Sequence, residues 1–225
     1  MSITLSQARQ ASIGRLSENN TAQYHQLTDW INAACRDIAR RAECLQSLQQ
    51  LPVIEGTQKY ILPSELVRVH RMEFNPTGQQ NIYPLEARGL MEMDQIWGIN
   101  QTNIFNYPCY YALWQNPPTL QAILYPVPST SGSLNCYYYR LPTPVSLPSD
   151  NLDIPEGWED MVYMYVEYVA MRKDMNPAWQ SAKEIYEEQM MQLIDRTQSF
   201  HDQSGMITTG TSMVPDWLYA GNGYW

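Results

Sequence analysis

The chain has 225 residues, a formal net charge of −9 and a pI near 4.7. That length supports one substantial core or two modest units, and the acidity argues against a protein that grips nucleic-acid phosphates or anionic membrane surfaces. No segment approaches the roughly 20 apolar residues of a membrane span; the most apolar run, residues 161–171, is short and interrupted by Glu167.

The opening residues show no basic region followed by an apolar run, so no secretory signal is expected. Cys35, Cys44, Cys109 and Cys136 show no Cys-x-x-Cys spacing and read as reduced thiols of a protein made in the cytoplasm. There are 16 Tyr and 7 Trp against 3 Phe. Aromatics with a polar tip serve where surfaces meet, or in a Tyr-rich β core, and composition leaves both open.

Residues 1–50 read as two helices. Thr4 is expected to cap a short one bearing Leu5, Ala8, Ile13 and Leu16, with a break at residues 18–20. Thr21 then caps a longer helix from Ala22 to Ser47, roughly 39 Å, along which Leu27, Trp30, Ile31, Ala34, Ile38, Ala42 and Leu45 recur at helical spacing. Arg36, Arg40 and Arg41 fall on its other side and read as a solvated face.

From residue 51 to 148 the texture changes to Pro, Gly, Asn and β-formers. Strands are expected at 57–62, 66–74, 80–83, 110–114, 119–125 and 133–141, with a turn at 75–78 and a small helix from Pro84 toward Trp97. Residues 129–132 would join the last two strands as a hairpin. This block reads as a small antiparallel β unit inserted between helices, and the Pro-rich stretch 141–152 leads out of it.

Residues 149–202 form a helical hairpin in this reading. Asp153 is expected to cap its first helix, which runs to about Asp174, and Asn176-Pro177 to start the second. In the first helix Trp158, Met161, Val162, Tyr165, Val166 and Val169 make one broad apolar face. Tyr163, Met164, Tyr168 and Met171 occupy much of the remainder, and a helix apolar nearly all round is buried on more than one side. Those four residues are therefore expected at an interface between subunits. Residues 203–225 are rich in Gly, Ser and Thr yet carry Met213, Trp217, Leu218, Tyr219, Tyr224 and Trp225, more apolar weight than a disordered tail carries. They read as an extended arm that docks on a partner or a neighbouring subunit. The expected fold is thus α+β: an antiparallel helical bundle with an inserted small antiparallel β domain and an extended C-terminal arm.

Catalytic constellations are thin. No Gly-rich phosphate loop, His-Glu-x-x-His or Gly-x-Ser-x-Gly occurs. His25 and Asp29 lie four apart without a third ligand in sequence, so no metal or cofactor is expected. Glu184, Glu187 and Glu188 read as a solvated acidic face. A structural or interaction protein is favoured over an enzyme.

An ordered series of short motifs points further. Pro52, Val53, Gly56, Tyr60, Leu62, Pro63 and Ser64 precede a Val-Arg-Val strand, then residues 110–114 (Tyr-Tyr-Ala-Leu-Trp) and 124–128 (Leu-Tyr-Pro-Val-Pro). Residues 137–142 (Tyr-Tyr-Tyr-Arg-Leu-Pro) and the helix start Ile154–Trp158 follow. Over about residues 20–200 this resembles the head-to-tail adaptor (connector, head-completion) proteins of tailed bacteriophages. The resemblance implies a virion protein of the neck: a homo-oligomeric ring, commonly a dodecamer, beneath the portal protein. Such a ring extends the channel for double-stranded DNA without reading its sequence, and offers tail or nozzle proteins an attachment surface. C-terminal segments of the family grip the portal. Two other readings stand beside it. One is a tail-completion or stopper protein of the neck. The other is a carbohydrate-binding or hydrolytic protein that uses Trp97, Trp114 and Tyr137 to Tyr139.

Overall fold

The computed structural model describes residues 3–16, 26–97, 104–105 and 107–205; the expected Thr21 cap, His25 and the arm after residue 205 lie outside them. Helix α1 (Leu5–Arg15) starts as its sequence suggests. The Thr4 hydroxyl accepts from the Gln7 N–H at 3.3 Å, and the Gln7 side chain accepts from the Thr4 N–H at 2.9 Å, so two of the orphan donors of the first turn are satisfied reciprocally. Helix α2 (Leu27–Ala42) stops earlier than expected, at Glu43, whose φ of 47° is left-handed and breaks the helical ladder. The residues expected to continue it become strand β1 (Gln46–Val53). Gln, Ser and Leu carry little local preference for extended backbone, and only pairing with a distant strand settles their state.

The remaining elements are β2 (Lys59–Ile61), β3 (Leu66–Pro76), β4 (Tyr83–Ala87), α3 (Leu90–Trp97), β5 (Ile104–Phe105), β6 (Tyr110–Asn116), β7 (Thr119–Tyr125), β8 (Val127–Pro128), β9 (Gly132–Arg140), α4 (Glu159–Lys173) and α5 (Trp179–Gly205). The main sheet has seven strands in the order β1-β9-β3-β4-β6-β7-β2 and curls into a nearly closed barrel, with about 30% of the described residues in strands. This corrects the expectation of a helical bundle with a small antiparallel insert. The barrel is a major body of the molecule beside five helices, and its sheet is mixed, because β4 and β6 run parallel with Glu86 opposite Tyr110. The expected hairpin between β7 and β9 does not form. β7 pairs with β6 and β2, whereas β9 pairs with β1 and β3. The tight hairpin is instead β6–β7, closed at Pro117-Pro118.

Gly132, expected as a turn residue, opens strand β9 where it lies between two neighbours. A Cβ there would sit 2.4 Å from the Asn75 carbonyl oxygen and 2.9 Å from the Phe74 ring, so only glycine lets the strands approach this closely. Val53, Phe74, Leu124, Leu134, Cys136 and Tyr138 fill the barrel interior. Helix α3 covers part of the outer face, seating Met93 on Ala112, Ile123 and Tyr125.

Helices α1, α2, α4 and α5 share a second core, including Leu5, Leu27, Ile31, Ile38, Val162, Val166, Tyr186 and Met190. Helix α4 packs on all three others. The Pro-rich connector belongs to this core through Val145 and Leu152. The Asn32 amide of α2 donates to the Val145 carbonyl and accepts from the Val145 N–H, each at 2.9 Å, giving the connector the pairing a strand would otherwise supply.

Asp153 does not cap α4, which begins six residues later at Glu159. Instead its carboxylate takes both arms of the Arg140 guanidinium, one at 2.9 Å, and the Thr143 N–H at 3.0 Å. Arg140 ends β9, so this pair ties the barrel to the entrance of the helical hairpin. At the second helix the sequence reading holds: Asn176 Oδ1 accepts from the Ala178 N–H at 3.0 Å just ahead of α5.

Burial pushes the Asp153 carboxyl up, but the Arg140 charge and the Thr143 amide outweigh it and hold the pKa below the ordinary carboxylate value. A depressed carboxyl contributes stability that is complete above the unfolded value, near 4, and is lost as pH falls through the folded one. Both side chains retain about a quarter of their exposure, so the effect is smaller than the 3–5 kcal/mol of a fully buried pair. Asp153→Asn is expected to cost about 2 kcal/mol at pH 7, with the gap to the parent narrowing below about pH 4. Denaturant titrations at pH 7 and pH 3 measure both, and an equal loss at the two pH values would contradict the ion pair.

Candidate functional site

Helix α4 was expected at a subunit interface because of its all-round apolar character, and the structure divides the four residues named for it. Val162, Val166 and Ala170 are fully buried on one side. Tyr163, Met164, Tyr168 and Met171 are all half-buried, but for different reasons. Tyr163 lies under Arg15 of α1, whose guanidinium carbon is 5.1 Å from the ring centroid and whose charge also reaches Asp160 at 2.6 Å. Tyr168 joins Tyr165 and Tyr186 in a ring cluster with centroids 5.0–5.6 Å apart. These two are largely occupied within the subunit. Met164 and Met171, seven apart and so on one side of the helix, lie opposite Val162, Val166 and Ala170, with Asp160 and Glu167 on the same side; Met164 still packs against the bundle core, and Met171 lies outside it.

The tyrosine cluster is anchored by charge. Tyr186 is 1% exposed, and its hydroxyl donates to Asp37 of α2 at 2.6 Å. Arg41, one turn on from Asp37, reaches Asp37 at 3.6 Å and Glu187 of α5 at 2.6 Å. Arg41 and Glu187 are therefore a joint between α2 and α5 rather than parts of two separate solvated faces, whereas Arg36, Arg40, Glu184 and Glu188 are exposed as expected. Helical spacing placed Arg41 on the polar side of α2 but could not show which helix lay against it. Burial, with the bond to Asp37, raises the Tyr186 phenol above its ordinary value, and burial likewise raises Tyr168.

The residues suspected of stacking on sugars do not form one platform. Tyr138 fills the barrel interior and Tyr139 is fully buried on the other face of β9. Arg71 lies over the Tyr137 ring at 4.4 Å, and Trp97 packs against the α3 cluster. Trp114 is exposed, with the Lys59 ammonium 5.1 Å from its ring centroid. It aligns across Gln121 with exposed Ile61 of β2, an outer-surface pair that the sequence did not signal because β2 and β6 meet only through β7.

All four cysteines are free. Burial pushes Cys35 and Cys44 up to about 12 and Cys136 up to about 11, and raises Cys109 as well, so none is primed as a nucleophile. Among the described residues no group of three or more His, Cys, Asp or Glu side chains could hold a metal, and no helix is long and apolar enough to cross a membrane. The arm residues Met213, Trp217, Leu218, Tyr219, Tyr224 and Trp225 lie outside the described residues.

Tyr186→Phe removes a hydrogen bond to a charged group and is expected to cost about 2 kcal/mol. A group whose folded pKa is raised contributes stability that is complete below its unfolded value, about 10, and is lost only as pH climbs through the folded one. The loss should therefore be constant from pH 6 to 9 in thermal or denaturant unfolding. A variant as stable as its parent would mean that Arg41 alone satisfies Asp37.

Comparison with protein families adds one match: residues 3–213 fit the family model described as SU10 adaptor protein. The match stops short of Trp217 to Trp225. No curated protein matches the chain.

Proposed function

The chain belongs to the SU10 adaptor protein family, a family of phage head–tail adaptors, and on that premise we propose that it forms the ring that joins portal to tail and extends the DNA channel between them. Membership makes it a structural component of the virion neck that meets other head–tail proteins. The ring, its dodecameric count and its seat on the portal are the finer reading.

The observation that carries the ring is the side of α4 turned away from Val162, Val166 and Ala170. Three helices of its own chain take up those three, Met164 is partly covered by the bundle core, and Met171 lies half-buried outside that core beside Asp160 and Glu167. A stripe of apolar residues edged by carboxylates suits a neighbour that brings apolar side chains and a few cations. The net charge of −9 suits a channel through which DNA slides without adhering, since like charge suppresses nonspecific phosphate contacts. The arm residues Trp217, Leu218, Tyr219, Tyr224 and Trp225 are the anchors on the portal or the neighbouring subunit, because Trp and Tyr dominate contact energetics where one partner is extended.

Two measurements test this. Met171→Glu should abolish ring assembly on purified portal while moving the subunit's own unfolding midpoint little, whereas Tyr168→Glu should unfold the subunit, since its ring is held in the tyrosine cluster. Native mass measurement of the assembled complex reads the first, and circular dichroism the second. A chain lacking residues 216–225 should lose portal association with its fold intact; full binding by that chain would sink the arm's role. Imaging its position in the assembled particle separates a portal adaptor from a stopper further along the neck.

A further inference from the structure

Strand β4 lies between β3 and β6 in the sheet but joins them at one end only. On β3 it pairs with Met72, Glu73 and Phe74, and on β6 with Tyr110 and Tyr111. Leu66–Arg71 of β3 therefore has β9 on one side and, among the described residues, no strand on the other. The same holds for Ala112–Asn116 of β6, which has β7 on one side alone. Between these two edges the barrel wall is open. A groove of about 650 Å³ runs there, walled by Leu66 and Val69 on one strand and by Tyr111 and Leu113 on the other, with Leu120 alongside. Two register shifts in β3, between Leu66 and Arg68 and between Val69 and Arg71, each add a residue and bend the strand. Two facing strand edges with apolar walls are a template for a further strand.

We propose that this slot is filled by residues 206–214 of the same chain, added as a strand between β3 and β6. The first argument is position. Ile194, Thr197 and Gln198 of α5 line a cavity together with Arg68 of β3, and Arg68 also lines the slot, so this part of α5 lies one side chain away from the slot's rim. The second is length. From Gln198 to the helix end at Gly205 is about 10 Å, and residues 206–214 in extended form span roughly 30 Å. The third is chemistry. Met-Ile-Thr-Thr-Gly-Thr-Ser-Met-Val carries no charge and is dominated by β-formers, and Pro215 directly after it removes the next ladder donor. The segment closes the barrel wall, and the aromatic residues 217–225 beyond Pro215 stay free to reach a partner. The slot and its occupant do not depend on the adaptor reading, since no portal is involved.

Amide hydrogen exchange on the full chain and on a chain ending at Gly205 tests the assignment. In the full chain the slot-facing amides of Leu66–Arg71 and Ala112–Asn116 are expected to be protected, and truncation should speed their exchange at least tenfold, while the amides bonded to β9 and β7 keep theirs. The β1–β9 ladder should keep its protection, which reports that the rest of the barrel stands. Thr209→Pro in the full chain should reproduce the loss locally, so the result holds even if truncation disturbs the fold. A synthetic peptide of residues 206–214 added to the truncated chain should restore protection. Equal exchange in the parent, the truncated chain and Thr209→Pro overturns the proposal. Protection that rises with protein concentration also overturns it, by assigning the strand to a second copy.

Discussion

Helix α4 has apolar residues on every side and must be covered on every side. That requirement organises the molecule. Burying a Val or Met side chain contributes about 1.5–3 kcal/mol, and α4 supplies Met161, Val162, Val166 and Ala170 as buried side chains along a single element. Helices α1, α2 and α5 assemble around it, and even the Pro-rich connector is drawn in through Val145 and Leu152. Polar groups enter this bundle as specific links: Tyr186 to Asp37, Arg41 to Glu187, and Arg15 to Asp160. Each joins two different helices and fixes how they sit, while burial supplies most of the stabilisation.

The barrel is a second body with its own interior, and Arg140 to Asp153 is where the two are tied. The geometry is bidentate, which sets direction as well as distance. It lies at the point where the last strand hands the chain to the connector, so β9, the strand that pairs with both β1 and β3, is coupled to the entry of the helical hairpin. A load applied to the barrel would pass to the bundle through this pair and through the Asn32 to Val145 bonds. For a neck component such stiffness between its two halves is a physical asset, because interfaces on both must hold their relative positions.

Much of this was legible in the residues. The Thr4 cap, the Asn176-Pro177 start of α5, the helical stripe of α2 from Leu27 to Ala42 and strands β2, β3, β6, β7 and β9 all follow from caps and periodicities that act within a few residues. So did the excess apolar surface of α4, which pointed to burial on several sides, and the ordered motifs that matched an adaptor family. Three errors share one cause. Gln46 and Ser47 were read as the end of a helix, the β7–β9 hairpin was expected from a Gly-containing turn, and Asp153 was read as a cap. In each case a partner distant in sequence decided the outcome: β9 for β1, β2 and β6 for β7, and Arg140 with Thr143 for Asp153.

The sequence by itself determined most of the segments that are extended or helical, where α1 and α5 begin, and that one helix carries too much apolar surface to stand at a free face. Those properties come from backbone sterics, capping and side-chain period, all local. Only the tertiary structure decided the strand order, the mixed and nearly closed barrel in place of a small insert, and the opening between β3 and β6. It also showed that Tyr163, Met164 and Tyr168 pack against the bundle core of their own subunit. These depend on pairing across long sequence separations, where local energies are nearly equal and the buried side chains of the whole barrel and bundle choose among the alternatives. Helix α4 ends as it began, a surplus of apolar surface. The fold shows that its own chain covers most of it, Met164 included, and leaves Met171 half-buried outside the bundle core.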